Sequence, residues 1–125
     1  MKLFTIEEAN ALLPKVRKML IKIQRAHGKV VSYKEQAEQA AAKAMVGGGG
    51  MVGGTDYLIA LTELADQTNT LDSMGVQLKD FALGLIDFPS MRDGRVVLLC
   101  WKLGEGDQIE WWHDLEAGYA GRQPL

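Results

Sequence analysis

Apolar residues recur at steps of three and four along residues 6–44. They are Ile6, Ala9, Leu13, Val16, Leu20, Ile23, Val30, Ala37, Ala41 and Ala44, with His27 and Lys34 in two intervening slots. That spacing predicts a long helix lying along a neighbouring helix, in the manner of a coiled coil. Thr5-Ile6-Glu7-Glu8 matches a capping box, in which Thr5 and Glu8 each serve the other's amide. Pro14 lies inside the pattern, removes one helical hydrogen bond and is expected to bend the helix. Gly28 is a second soft point. The stripe is Leu, Ile and Val before His27 and mostly Ala after Val30, so its later half buries less area.

MVGGGGMVGG at 45–54 ends this helix, because each glycine costs ~1 kcal/mol against alanine in a helix interior. A phosphate-cradling loop needs a lysine and a Ser or Thr in fixed register after the glycines, and neither is there. Residues 46–54 therefore read as a flexible hairpin tip. Thr55 or Asp56 is placed to cap a second helix, with Tyr57, Leu61, Leu64, Thr68 and Leu71 as its stripe and Gly75 closing it. Two helices joined this way lie antiparallel. At 1.5 Å per residue the first spans ~60 Å and the second ~30 Å, so the second returns only as far as His27. The Leu/Ile/Val half of the first helix must then be buried on something else.

The pattern changes period after Gly75. Residues 76–79 alternate and suit a leading edge strand. Residues 84–88 form a strand stopped by Pro89, and Asp93-Gly94 marks a hairpin. Residues 96–101 are apolar throughout, which predicts burial on both faces. Residues 104–107 make the next turn, and 108–113 alternate again up to Trp111, Trp112 and His113. The expected fold is therefore α+β in one domain. A helical hairpin (5–75) packs on a three- to four-stranded antiparallel meander, which the C-terminal tail completes (76–125). Cover for the second face of the meander comes either from residues 115–125 or from a second copy of the chain, and a homodimer is the expectation.

Composition narrows the classes. The 125 residues are 47% hydrophobic and 24% charged, ordinary for a soluble globular protein. A net charge of -2 gives no general attraction to nucleic acid or anionic membrane. Lys15, Arg17, Lys18, Lys22, Arg25 and Lys29 do give the first helix a basic side, which reads as a solvated face rather than a nucleic-acid interface. Cys100 is the only cysteine, so no internal disulfide forms and a reducing cytoplasmic home is expected. No apolar run approaches the ~20 residues of a membrane span, and Glu7 and Glu8 break any signal-peptide core.

Pairing the strands through their turns sets Cys100 opposite Asp87 and Leu98 opposite His113. Asp87, Cys100 and His113 then share one face, with opposed pairs ~5 Å apart and diagonal ones ~7–8 Å. Carboxylate, thiol and imidazole together suit a divalent transition metal, or a thiol with its base. The plainer account is a small buried thiol with Asp87 and His113 hydrogen-bonded at the sheet rim. Glu105 and Arg122 join Asp87 and His113 as candidates for a small-ligand site. A structural clasp is the simpler role for Arg122. Glu116, three residues after His113, reads as a rim position, and His27 as a core histidine.

The chain also resembles a known family. The residues that carry the resemblance are FTIEEAN (4–10), LLP (12–14), KD (79–80), GLIDFP (84–89), DG (93–94), LCW (99–101), GE (104–105), WH (112–113) and GYAGRQP (118–124). On these the chain resembles an uncharacterised bacterial family, domain of unknown function 2203, nearly end to end. The resemblance implies fold and extent, and it brings no activity, cofactor or catalytic residue. From the sequence, the leading expectation is a homo-oligomeric interaction or scaffold protein built on the hairpin, with no membrane association and no certain cofactor beyond a candidate divalent metal. The alternative is a metal- or small-ligand-binding protein, an enzyme among the options, with its site at the sheet around Asp87, Glu105, His113 and Arg122.

Overall fold

The structure is a computed structural model that describes residues 1–44 and 54–125. The glycine-rich tip expected at 46–54 falls outside the described residues but for Gly54. Helix α1 (Ile6–Ala44) starts where the capping box predicts. The Thr5 hydroxyl accepts the Glu8 amide at 3.0 Å, and the Glu8 carboxylate accepts the Thr5 amide at 3.1 Å. The helix continues through Pro14, which sits on its exposed side. Helix α2 (Gly54–Ser73) already includes Thr55 and Asp56 in its first turn, so neither occupies the flanking cap position. It closes on Gly75 at φ 86, where the Gly75 amide bonds Asp72 O and the Val76 amide bonds Leu71 O. That pair of bonds is the left-handed termination glycine permits.

Five strands follow: β1 (Gln77–Asp80), β2 (Leu85–Arg92), β3 (Arg95–Lys102), β4 (Trp111–His113) and β5 (Gln123–Pro124). They form one antiparallel sheet in chain order. The fold is α+β, as expected, with one strand more than the meander predicted. Asp93 at φ 50 and Gly94 at φ 78 make the β2–β3 turn, which sets Asp87 against Cys100 and Arg92 against Arg95.

Pro89 does not stop β2, and the reason lies in its hydrogen-bonding side. Its carbonyl accepts the Phe4 amide at 2.7 Å, so its edge of the strand faces away from β3. The β1 pairing ends at Asp87, so no ladder partner waits there for a Pro89 N–H. The last long strand is also shorter than predicted. Residues 108–110 approach the helix instead, where the Asn10 carboxamide oxygen accepts the Ile109 amide at 2.7 Å.

The core lies between α1 and one face of the sheet. Leu13, Val16, Leu20 and Ile23 pack with Ile86, Phe88, Val97, Leu99, Trp101 and Trp112. Arg17, on the basic side of α1, is tied into this seam: it pairs with Asp107 at 3.1 Å and lies over the Trp101 ring. Beyond Ile23 the buried slots are Ala26 and Val30, then half-buried Tyr33, Ala37 and Ala40. His27 and Lys34 are therefore not in the seam. His27 is half-buried and stacks on Phe81 at 5.2 Å in the loop after β1, and Lys34 is exposed. On α2 the inward positions are Tyr57, Ala60, Leu64 and Leu71, with Ala60 taking the slot predicted for the exposed Leu61. Tyr33 and Tyr57 stack at 4.2 Å across the hairpin. No described helix is long and apolar enough to cross a membrane.

The two halves of α1 should answer differently to truncation. Leu20→Ala, at the sheet seam, is expected to lower stability by about 2–5 kcal/mol. Val31→Ala, on the exposed side of the distal half, should change it by less than about 0.5 kcal/mol. Urea unfolding of the two variants checks the difference.

Candidate metal centre

The second face of the sheet carries the polar residues. Along β2 the side chains alternate, so Ile86 and Phe88 meet α1 while Asp87 points to the far face. The β2–β3 register sets Cys100 beside Asp87, and β4 brings His113 opposite Leu98. Asp87, Cys100 and His113 thus share that face, as their spacing predicts. They are 2%, 1% and 2% exposed. One donor atom from each lies within 4.8 Å of the other two. Among the described residues this is the one such group of three or more His, Cys, Asp or Glu.

The hydrogen bonds fix the imidazole's chemistry. His113 Nδ1 is 2.8 Å from the Asp114 carbonyl oxygen, which only accepts, so Nδ1 carries the hydrogen and donates it. His113 Nε2 is 3.1 Å from Asp87 Oδ1. Nε2 is therefore the ring nitrogen left for a ligand, and its contact with Asp87 Oδ1 is a hydrogen bond whose shared proton a metal ion would displace. This is the arrangement of metal-binding histidines, whose other ring nitrogen is anchored by a carbonyl or carboxylate. Burial, and next the adjacent Asp87 carboxylate, push the Cys100 thiol up to about 12, against a smaller opposing effect of the Arg122 charge. A bound divalent cation reverses that preference, since a coordinating thiol gives up its proton.

The cover over this face comes from the tail. Arg122 lies between the Trp111 and Tyr119 rings, 4.8 and 4.7 Å from their centroids. Its Nη2 donates to Glu105 Oε2 at 2.6 Å, while Glu105 Oε1 accepts the Lys102 amide at 2.9 Å. Glu105 and Arg122 thus form the clasp that sequence favoured for Arg122. The four candidates Asp87, Glu105, His113 and Arg122 resolve into two bonded pairs, Asp87–His113 and Glu105–Arg122. Glu116 lies exposed in the tail. A cavity of about 150 Å³ adjoins Asp87 and His113, walled by Lys79, Leu85, Leu98, Leu115, Gly118 and Tyr119.

Sequence reasoning missed the Asp114 carbonyl, a backbone group with no side-chain signal. It also missed Lys79, Leu115 and Tyr119 as cavity walls. The Gly-Tyr-Ala-Gly-Arg run of the tail was the available clue to the last of these, since an aromatic three residues before an arginine suits a stacked clasp.

A family model described as uncharacterized conserved protein (DUF2203) matches residues 2–125. The chain belongs to that family. The match spans both helices, the whole sheet and the tail, so every residue of the centre lies inside the family's extent. No curated protein and no solved structure matches the chain.

The thiol offers a direct check on this geometry. Its folded value of about 12 lies above the ordinary 9.0, so the fold favours the protonated form. That preference is complete below about pH 9 and is lost as pH rises toward 12. At pH 8 the thiolate fraction in folded, metal-free protein should be about a thousandfold below that of the unfolded chain. Iodoacetamide should accordingly modify Cys100 in urea and leave it nearly untouched in buffer. Equal rates in the two conditions would show that Cys100 is not buried as described.

Proposed function

We propose that this protein binds a divalent transition metal, zinc foremost, through Asp87 Oδ1, Cys100 Sγ and His113 Nε2. The observation that carries this reading is the commitment of His113 Nδ1 to the Asp114 carbonyl, which leaves Nε2, beside Asp87 Oδ1, as the ring nitrogen a metal would take once the shared proton is displaced. Carboxylate oxygen, thiolate sulfur and imidazole nitrogen are all zinc ligands, at ~2.0–2.3 Å from the ion. Tetrahedral donors at those lengths lie ~3.3–3.7 Å apart. The widest gap in the trio, 4.8 Å at most, therefore closes by roughly 1.5 Å at most on binding, a shift that side-chain torsions supply. A metal also answers the electrostatic difficulty of the site, where a carboxylate and a thiol lie together out of water.

Protein purified without an affinity tag should carry close to one zinc per chain by elemental analysis, or take it up on incubation. Cys100→Ser, Asp87→Asn and His113→Gln should each lower the stoichiometry well below one while circular dichroism stays native. Wild-type protein that remains metal-free after incubation with zinc, cobalt and manganese would overturn the reading and leave a hydrogen-bonded structural pair.

A second reading concerns the hairpin. Leu58 and Ile59 on α2 are 62% and 59% exposed. The neighbouring exposed Leu58 and Ile59 support a homo-oligomeric interaction arm in which this part of α2 meets its copy across a two-fold axis. Light scattering at tens of micromolar should then give a dimer, and Leu58→Lys with Ile59→Lys should give a monomer with unchanged metal content. A monomeric wild type excludes this reading.

A further inference from the structure

Three protein donors leave one position of a tetrahedral ion without a protein ligand. Among the described residues no other His, Cys, Asp or Glu joins the group. Space unfilled by side chains lies beside two of the three donor residues. The cavity of about 150 Å³ lies directly against Asp87 and His113. Resting on the metal reading above, we infer that the fourth position opens into this cavity and takes a small monoanion, a short-chain carboxylate such as formate or acetate.

Charge, size and lining each select for that class. A dication held by one carboxylate and one thiolate has no net charge. Lys79 is the charged wall residue besides Asp87 itself, so the loaded cavity is biased positive. A single negative charge fits that balance, and a cation opposes it. At ~30 Å³ per water the cavity holds roughly five water-sized groups, room for a ligand of about four or five heavy atoms. Leu85, Leu98, Leu115 and the Tyr119 ring make the remaining wall largely apolar. An acyl tail is at home against them, whereas every face of an inorganic oxyanion needs hydrogen-bond donors. Formate and acetate place a carboxylate at the ion and a hydrogen or methyl group among the leucines.

Cobalt-substituted protein provides the test, because the visible spectrum of a protein-bound cobalt ion responds to each change of its ligands. Titrating acetate or formate into the loaded protein should produce a saturable spectral change. Phosphate at equal concentration should produce little or none. Lys79→Gln should keep full cobalt stoichiometry and bind acetate about three- to tenfold more weakly, with the wild-type advantage shrinking as salt rises, since Lys79 is exposed. A loaded protein whose spectrum ignores both carboxylates overturns the open position while leaving the metal site standing. Phosphate acting as strongly as acetate overturns the ligand class, and Lys79→Gln binding acetate as tightly as wild type overturns the role of the charge. Protein that takes up no cobalt at all overturns the metal reading itself, and this inference with it.

Discussion

The central strand β3 has no side in water, and the molecule is arranged to keep it so. Val97, Leu99 and Trp101 face α1, while Leu98 and Cys100 face the tail. Side chains in a strand alternate with period two, so a slip of one residue would carry the apolar set to the polar face and the thiol into the core. The positive-φ turn at Asp93 and Gly94 guards against that slip. One alignment therefore fixes both the hydrophobic core and the meeting of Asp87 with Cys100. Neither can be altered without the other.

Helix α1 serves two partners in succession. Up to Ile23 it rests on the sheet, where bulky side chains fill the gap. From Ala26 onward it rests on α2, with smaller residues and one tyrosine stack. The N-terminal strap joins the first of these seams to the sheet edge. Phe4 is pinned by its amide to Pro89 and by its carbonyl to the Ser90 hydroxyl, and its ring meets Phe88 edge-on. Pro89 suits that position because the strap asks only for an acceptor.

Much of this was legible in the residues. The capping box, the Asp-Gly hairpin, the glycine at the end of α2 and the common face of Asp87, Cys100 and His113 all follow from local chemistry with one dominant solution. What escaped depended on partners distant in sequence. The alternation of the α1 stripe fits either Ala26 or His27 between Ile23 and Val30. Only the approach of α2 on one side and of Phe81 on the other separates them. The strand Gln123–Pro124 is two residues long and carries no periodicity, and it exists because β4 offers it an edge. Trp111 and Trp112 did announce that both faces need cover. That the cover on one side is a guanidinium held between two rings is a matter of tertiary placement, which a linear pattern does not encode.

The tail that roofs the polar face is thin. Residues 115–120 are exposed, and the fastening lies in the short β4–β5 pairing, at Arg122 with its two aromatic rings and Glu105, and at the Leu125 amide on the Glu110 carbonyl. Contacts of this kind contribute about 0.5–2 kcal/mol each, far less than unfolding the sheet requires. The roof can thus unlatch while the layers beneath stay assembled. The polar face would then be uncovered from the chain end alone, with the hydrophobic core left intact.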